Sequence, residues 1–175
     1  FNNLEPSAVV MVATVKALKS HGGVKFRDLG SPNEAAVAKG ADNLVHLVNV
    51  VRSFGLPVVV AINEFPTDTL EEMAVVKKKA EEAGAMAVVP SRVFAEGGAG
   101  GVDLANAVVE AAKNGAPDIN YPYQEEDTAE DKVFALATKV YGADDVSWSS
   151  TARRTLKTFQ DQGWGGLPVC MAKTQ

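Results

Sequence analysis

The segment Pro57-Val58-Val59-Val60-Ala61-Ile62-Asn63 sets the tightest limit on what this chain can fold into. It is apolar without interruption and rich in β-branched residues, and it lacks the alternation of a strand with one face in water. Such a strand needs cover on both faces, as parallel strands have. Ala8–Val15 repeats the type, and Ala85–Val89 is a shorter third example.

Helical patterns separate these runs. From about Asn33 to Phe54, Val37, Ala41, Leu44, Leu47, Val48 and Val51 recur at three- and four-residue steps, with Gly55 placed to end the helix. Asp68-Thr69-Leu70-Glu71 has capping-box form and opens a second helix that carries Leu70, Met73, Ala74 and Ala80 to Gly84. Leu104, Ala105, Val108, Val109 and Ala112 form another stripe, ending near Gly115. Strand, helix, strand, helix, strand, helix is the order of an α/β fold: a mostly parallel sheet with helices on both faces, in a three-layer P-loop-NTPase-like or flavodoxin-like arrangement.

After Gly115 the texture changes. Pro117 to Asp127 is polar, with Pro122 and four acidic residues, and reads as a loop. Two helices are expected next, at about Thr128–Tyr141 and Ser150–Gln162, and Leu167–Ala172 as a last strand. The expected organisation is therefore an α/β domain over residues 1–116 and a small helical appendage over 117–175, whose loop, two helices and terminal strand are expected to pack on the sheet or extend it. No internal repeat is present.

A net charge of −5 gives no support to nucleic-acid binding, which calls for a basic surface. Ala8–Val15 is far shorter than the roughly 20 apolar residues of a membrane span, and no signal-peptide pattern surrounds it. Cys170, the single cysteine, has no intrachain partner, which fits a reducing compartment; a cytoplasmic location is expected. Phe1 is not an initiator residue, so the chain is expected to be a processed or truncated fragment.

No G-x-x-x-x-G-K-[ST] phosphate loop occurs, and Gly97-Gly98-Ala99-Gly100-Gly101 does not match G-x-G-x-x-G. That stretch follows a strand and precedes a helix, where a phosphate can sit; its spacing favours a flexible loop. Asn63-Glu64-Phe65-Pro66-Thr67-Asp68 lies at the carboxyl end of a buried strand, the end at which open α/β sheets bind ligands. Turn and cap account for Pro66 and Asp68 but leave Phe65 without a stripe to join. Ser91-Arg92-Val93-Phe94-Ala95-Glu96 is the equivalent loop of the next strand and supplies a second aromatic ring. The two rings can sandwich a flat heterocycle or pack against each other. Lys16, Lys19, His21, Lys25 and Arg27 gather beyond the first strand. They suit either a phosphate or carboxylate site, through Lys16 and Lys19 in particular, or a solvated surface. Two histidines and one cysteine, far apart, give no metal-site spacing.

Three stretches resemble the formate–tetrahydrofolate ligase family: Ala13-Thr14-Val15-Lys16-Ala17-Leu18-Lys19-Ser20-His21-Gly22-Gly23, Pro57 to Thr69, and Leu167 to Gln175 preceded by Tyr141-Gly142-Ala143-Asp144. They occur in family order and span the chain almost end to end. The resemblance implies an ATP-dependent ligase, with Mg and ATP as cofactors, that joins formate to tetrahydrofolate through formyl phosphate to give 10-formyltetrahydrofolate. It also implies a homo-oligomer when intact, and catalytic and phosphate-handling residues in family segments that precede the matched region. The family's phenylalanine–proline pair beside the pterin ring matches Phe65 and Pro66. Its opposing tryptophan aligns with Phe94 in Val93-Phe94-Ala95-Glu96-Gly97-Gly98. Two departures stand out: Phe94 is a smaller ring without an N–H donor, and Pro90 stands where the family usually has a leucine lining the same pocket.

Two other classes fit the residues less fully. One is a non-catalytic α/β module, folate-binding or structural, completed by another chain. The other is a P-loop-type nucleotide hydrolase, for which Asn63-Glu64-Phe65-Pro66 lacks the lysine and aspartate of a base-reading Asn-Lys-x-Asp.

Overall fold

A computed structural model describes residues 5–113 and 119–171. The chain divides into two compact units, residues 1–119 and 120–175. The boundary expected at 116/117, like Gly115 and Ala172 at the ends of expected elements, lies outside the described residues.

In the first unit, strands β1 (Val9–Ala13), β2 (Val58–Asn63) and β3 (Ala87–Ser91) form a parallel sheet in the order β1-β2-β3. Val9 pairs with Val58, and Val60 with Val88. Helices α1 (Val15–His21) and α2 (Glu34–Ser53) connect β1 to β2, and α3 (Leu70–Glu82) connects β2 to β3. A short turn of helix, α4 (Val93–Glu96), a 3₁₀ turn over Gly97–Gly101 and helix α5 (Val102–Lys113) follow β3.

The apolar run at β2 is explained by its surroundings: Val58 to Ile62 are all buried. Val58, Val60 and Ile62 join one core with Val15 and Leu18 of α1, Val37, Leu44 and Val48 of α2, and Met73, Val76 and Ala80 of α3. Val59 and Ala61 point to the opposite face by the two-residue period of a strand, where α5 packs on β2 and β3.

β1 departs from the expected double cover. Its residues alternate, with Ala13 buried but Val10 42% and Val12 66% exposed. It is an edge strand of the described sheet, and the face that bears Val10 and Val12 is left open despite its apolar sequence. Pro90 is exposed on β3, the other edge, which is where a residue without an N–H is tolerated.

α1 and α2 cross with their backbones in contact. A Cβ at Gly40 would collide with the Leu18 carbonyl oxygen, and one at Gly22 with that of Ala36. Gly40→Ala gains about 1 kcal/mol of helix propensity, yet forces the two helices apart. The expected result is a net loss of about 2 kcal/mol, near the upper end of overpacking costs, read from the urea midpoint.

The second unit contains α6 (Ala129–Ala135), which continues as a π-helical segment over Leu136–Val140, and α7 (Ser150–Asp161). The strand expected at Leu167–Ala172 is not formed over 167–171. Side chains take the place of a ladder there. The Tyr123 hydroxyl accepts the Val169 N–H at 3.1 Å, and buried Lys132 donates to the carbonyls of Glu125 and Leu167 at 2.6 and 3.3 Å.

Candidate functional site

The carboxyl ends of the three strands bring the sequence-derived candidates together. After β1, Thr14 caps α1 by accepting the Ala17 N–H at 3.1 Å. The first turn of α1 then directs Lys16 toward the next strand's loop, with Nζ 4.8 Å from the centre of the Phe65 ring. One face of that ring therefore carries a cation, a favourable placement for an ammonium.

After β2, the loop is fixed by Asp68. Its Oδ2 accepts the Phe65 N–H at 2.9 Å, while the Asp68 N–H donates to the Phe65 carbonyl at 2.9 Å. This reciprocal pair holds the backbone that carries Phe65. Asp68 Oδ1 is buried without a hydrogen-bond partner. Burial pushes the Asp68 carboxyl above its ordinary value, against the Phe65 N–H and the Lys19 and Lys16 charges that pull it down.

The capping box lies one residue later than the sequence suggests. Thr69, not Asp68, is the N-cap of α3: its hydroxyl accepts the Glu72 N–H, and Glu72 Oε2 accepts the Thr69 N–H, each at 3.2 Å. Asp68 is displaced from that role because its carboxylate is committed to the Phe65 turn.

Lys19, expected beside Lys16 as an anion-binding group, has a different role. Lys19 and Glu72 are both fully buried and form an ion pair of 2.9 Å. Lys19 also donates to the Ser31 carbonyl at 3.1 Å, and Glu72 Oε1 accepts the Asn33 N–H at 2.8 Å. Its ammonium is thus committed to protein acceptors that tie α1, the start of α2 and the start of α3 together. Burial alone would raise the Glu72 carboxyl; the Asn33 N–H, the Lys19 ammonium and the Thr69 N–H outweigh it and hold the carboxyl below its ordinary value. His21, Lys25 and Arg27 are exposed, as a solvated surface requires.

After β3, Phe94 stands 98% exposed on α4. A ring so open packs against no neighbour, which removes the possibility that Phe65 and Phe94 bury each other. Phe65 is half-buried, and Pro66 and Pro90 are exposed. The Phe65 and Phe94 loops are joined directly: the Glu64 N–H donates to the Ser91 carbonyl at 3.2 Å, and Arg92 Nε meets Glu64 Oε2 at 2.9 Å. Neither this link nor the Lys19–Glu72 pair was signalled by spacing, since each joins residues far apart in sequence.

The glycine-rich stretch is a defined turn in which Gly100 accepts the Arg92 N–H at 3.0 Å. A Cβ at Gly100 would come within 2.6 Å of the Arg92 backbone, and Gly97 has φ 61° and ψ −145°. These glycines are explained by close approach and backbone conformation. Among the described residues, no group of three or more His, Cys, Asp or Glu side chains is placed to hold a metal, and no helix is long and apolar enough to cross a membrane.

The whole chain has counterparts among known proteins. The family model described as Formate–tetrahydrofolate ligase matches residues 1–175. A formate–tetrahydrofolate ligase of Methylobacterium sp. (strain 4-46) is 50% identical over 173 residues, covering 98% of this chain and 31% of that protein. Those of Symbiobacterium thermophilum and Roseiflexus castenholzii are 47% and 48% identical over 99% of this chain and 31% and 32% of their own lengths. The chain thus spans about a third of the length of these curated relatives. With a match running through the strand-end loops and through both units, this chain belongs to the formate–tetrahydrofolate ligase family.

Proposed function

We propose that this chain carries the folate-facing side of an ATP-dependent ligase that joins formate to tetrahydrofolate to give 10-formyltetrahydrofolate. Phe65 and Phe94 would hold the pterin between them, with Pro66 and Pro90 lining the same site. The observation that carries this reading is Phe94, a fully exposed ring on a short helical turn at the ligand-binding end of the sheet, beside the loop that bears Phe65. An exposed aromatic ring is costly to leave in water and suits stacking on a flat heterocycle.

Lys16 supports the same reading. Its ammonium lies over one face of Phe65, so a pterin stacked on that ring would take the opposite face. It also places a positive charge at the site, where a carboxylate or phosphate of a substrate would be favoured. In the complete ligase the contribution of these residues would be positioning, with the pterin held still for attack by its amine.

The described residues do not fit ATP or Mg. They include no phosphate loop and no group of three or more His, Cys, Asp or Glu side chains placed to hold a metal, so no step involving either group is assigned to this chain. The 175-residue chain is accordingly expected to form no 10-formyltetrahydrofolate from ATP, formate and tetrahydrofolate. A coupled absorbance assay of the purified chain checks this, and ATP- and formate-dependent product would overturn it. The open flank of β1, with Val10 and Val12 exposed, favours a second reading in which another polypeptide completes the site.

A further inference from the structure

We infer that the Glu64–Arg92 ion pair is the positioning element that couples the Phe65 loop to the turn bearing Phe94 and to the glycine-rich turn behind it. The inference rests on the folate-facing reading for its ligand only; the coupling stands on geometry.

Arg92 sits where three pieces of backbone meet. Its side chain reaches Glu64, the residue before Phe65, at 2.9 Å. Its N–H is held by the Gly100 carbonyl at 3.0 Å. Its own carbonyl accepts the N–H groups of Ala95 and Glu96 at 3.0 and 2.9 Å and so starts the helical turn that displays Phe94. Glu64 is anchored as well, because its N–H donates to the Ser91 carbonyl at 3.2 Å.

Phe94 itself is held by nothing else, since its ring touches solvent almost everywhere. The placement of that ring relative to Phe65 must therefore come from the backbone under it, and the side-chain link between the two backbones runs through Glu64 and Arg92. A half-exposed pair adds little to global stability. Holding two stacking rings at a ligand's thickness is a different task, because a site is sensitive to displacements of about 1 Å.

The test compares the 175-residue chain with Glu64→Gln, Arg92→Ala and the charge-swapped double variant Glu64→Arg/Arg92→Glu. Amide exchange by NMR is read at Arg92 and Phe65, and tetrahydrofolate binding by calorimetry. In Glu64→Gln, the Arg92 N–H should exchange about three- to fivefold faster although the substitution lies in the other loop, in line with a partly exposed ion pair. The charge swap should bring the rate back. Folate affinity should fall by a similar factor in each single variant and recover in the swap. Exchange changes confined to the mutated loop, or no recovery in the swap, would overturn the coupling whatever the folate result. Absence of folate binding in every version, with coupled exchange intact, would instead overturn the folate-facing reading.

Discussion

Glu72→Gln is expected to lower the unfolding free energy by about 3–5 kcal/mol, the cost of breaking a buried ion pair by removing one partner. Lys19 would be left fully buried with its counter-charge gone and only neutral oxygens, the Ser31 carbonyl and the introduced amide, as acceptors. Urea unfolding of the two proteins measures the difference. Replacing the pair together, as Lys19→Met with Glu72→Leu, should cost less, because no orphaned charge remains. It should still not be neutral, because the N–H groups of Asn33 and Thr69 lose their acceptor.

The same pair gives the protein an acid-sensitive arm. The folded Glu72 carboxyl lies below its ordinary value. Its contribution to stability is therefore present above the unfolded value of about 4.3, and is lost as pH falls through the folded value. Asp68 acts in the opposite sense, since burial holds it above its ordinary value; its contribution is present in acid and is lost as pH rises through its folded value. Glu72→Gln should flatten the loss of stability below about pH 4.3. An unchanged acid arm in that variant would assign the arm to other carboxylates.

Much of this architecture was legible in the sequence, because local patterns govern it. The unbroken apolar run at Val58–Ile62 gave the central strand, and the stripe from Val37 to Val51 gave α2 almost to its ends. What failed was information that one strand does not carry. β1 has the same apolar texture as β2 yet lies at an edge with one face open; its sequence suits a cover that the described residues do not provide. The Leu167–Ala172 run reads as a strand, but within 167–171 the Val169 N–H and the Leu167 carbonyl are met by the Tyr123 and Lys132 side chains, partners more than thirty residues away.

The site divides in the same way. The placement of Phe65, Phe94 and Lys16 at the carboxyl end of the sheet was legible from their positions after strands. Lys19 was not, because nothing in its neighbourhood separates it from Lys16; only the helical turn between them sends one to the Phe65 ring and the other to Glu72. The one-residue slip of the capping box has a similar origin. Asp68 and Thr69 are both good caps, and the choice was made by the Phe65 N–H, which Asp68 alone accepts.

The second large effect concerns the rings. Removing both, as Phe65→Ala with Phe94→Ala, should weaken tetrahydrofolate binding at least about 30-fold, since ring-on-ring stacking is worth roughly 1–3 kcal/mol for each partner. Phe94→Ala alone should leave the unfolding free energy within about 0.5 kcal/mol of the parent, as for other exposed positions, because its side chain buries almost nothing. Phe65→Ala should also release the Lys16 ammonium from its ring, costing about 0.5–1 kcal/mol of stability. Phe94→Trp should tighten binding, as the larger ring adds stacking area and an N–H donor.

Calorimetric titration of tetrahydrofolate into the 175-residue chain, with Phe94→Ala and Phe94→Trp alongside, decides whether the chain holds the pterin through Phe94. Saturable binding is expected for the parent, weaker in Phe94→Ala and tighter in Phe94→Trp. No saturable binding by any of the three, or equal binding by all of them, would contradict it.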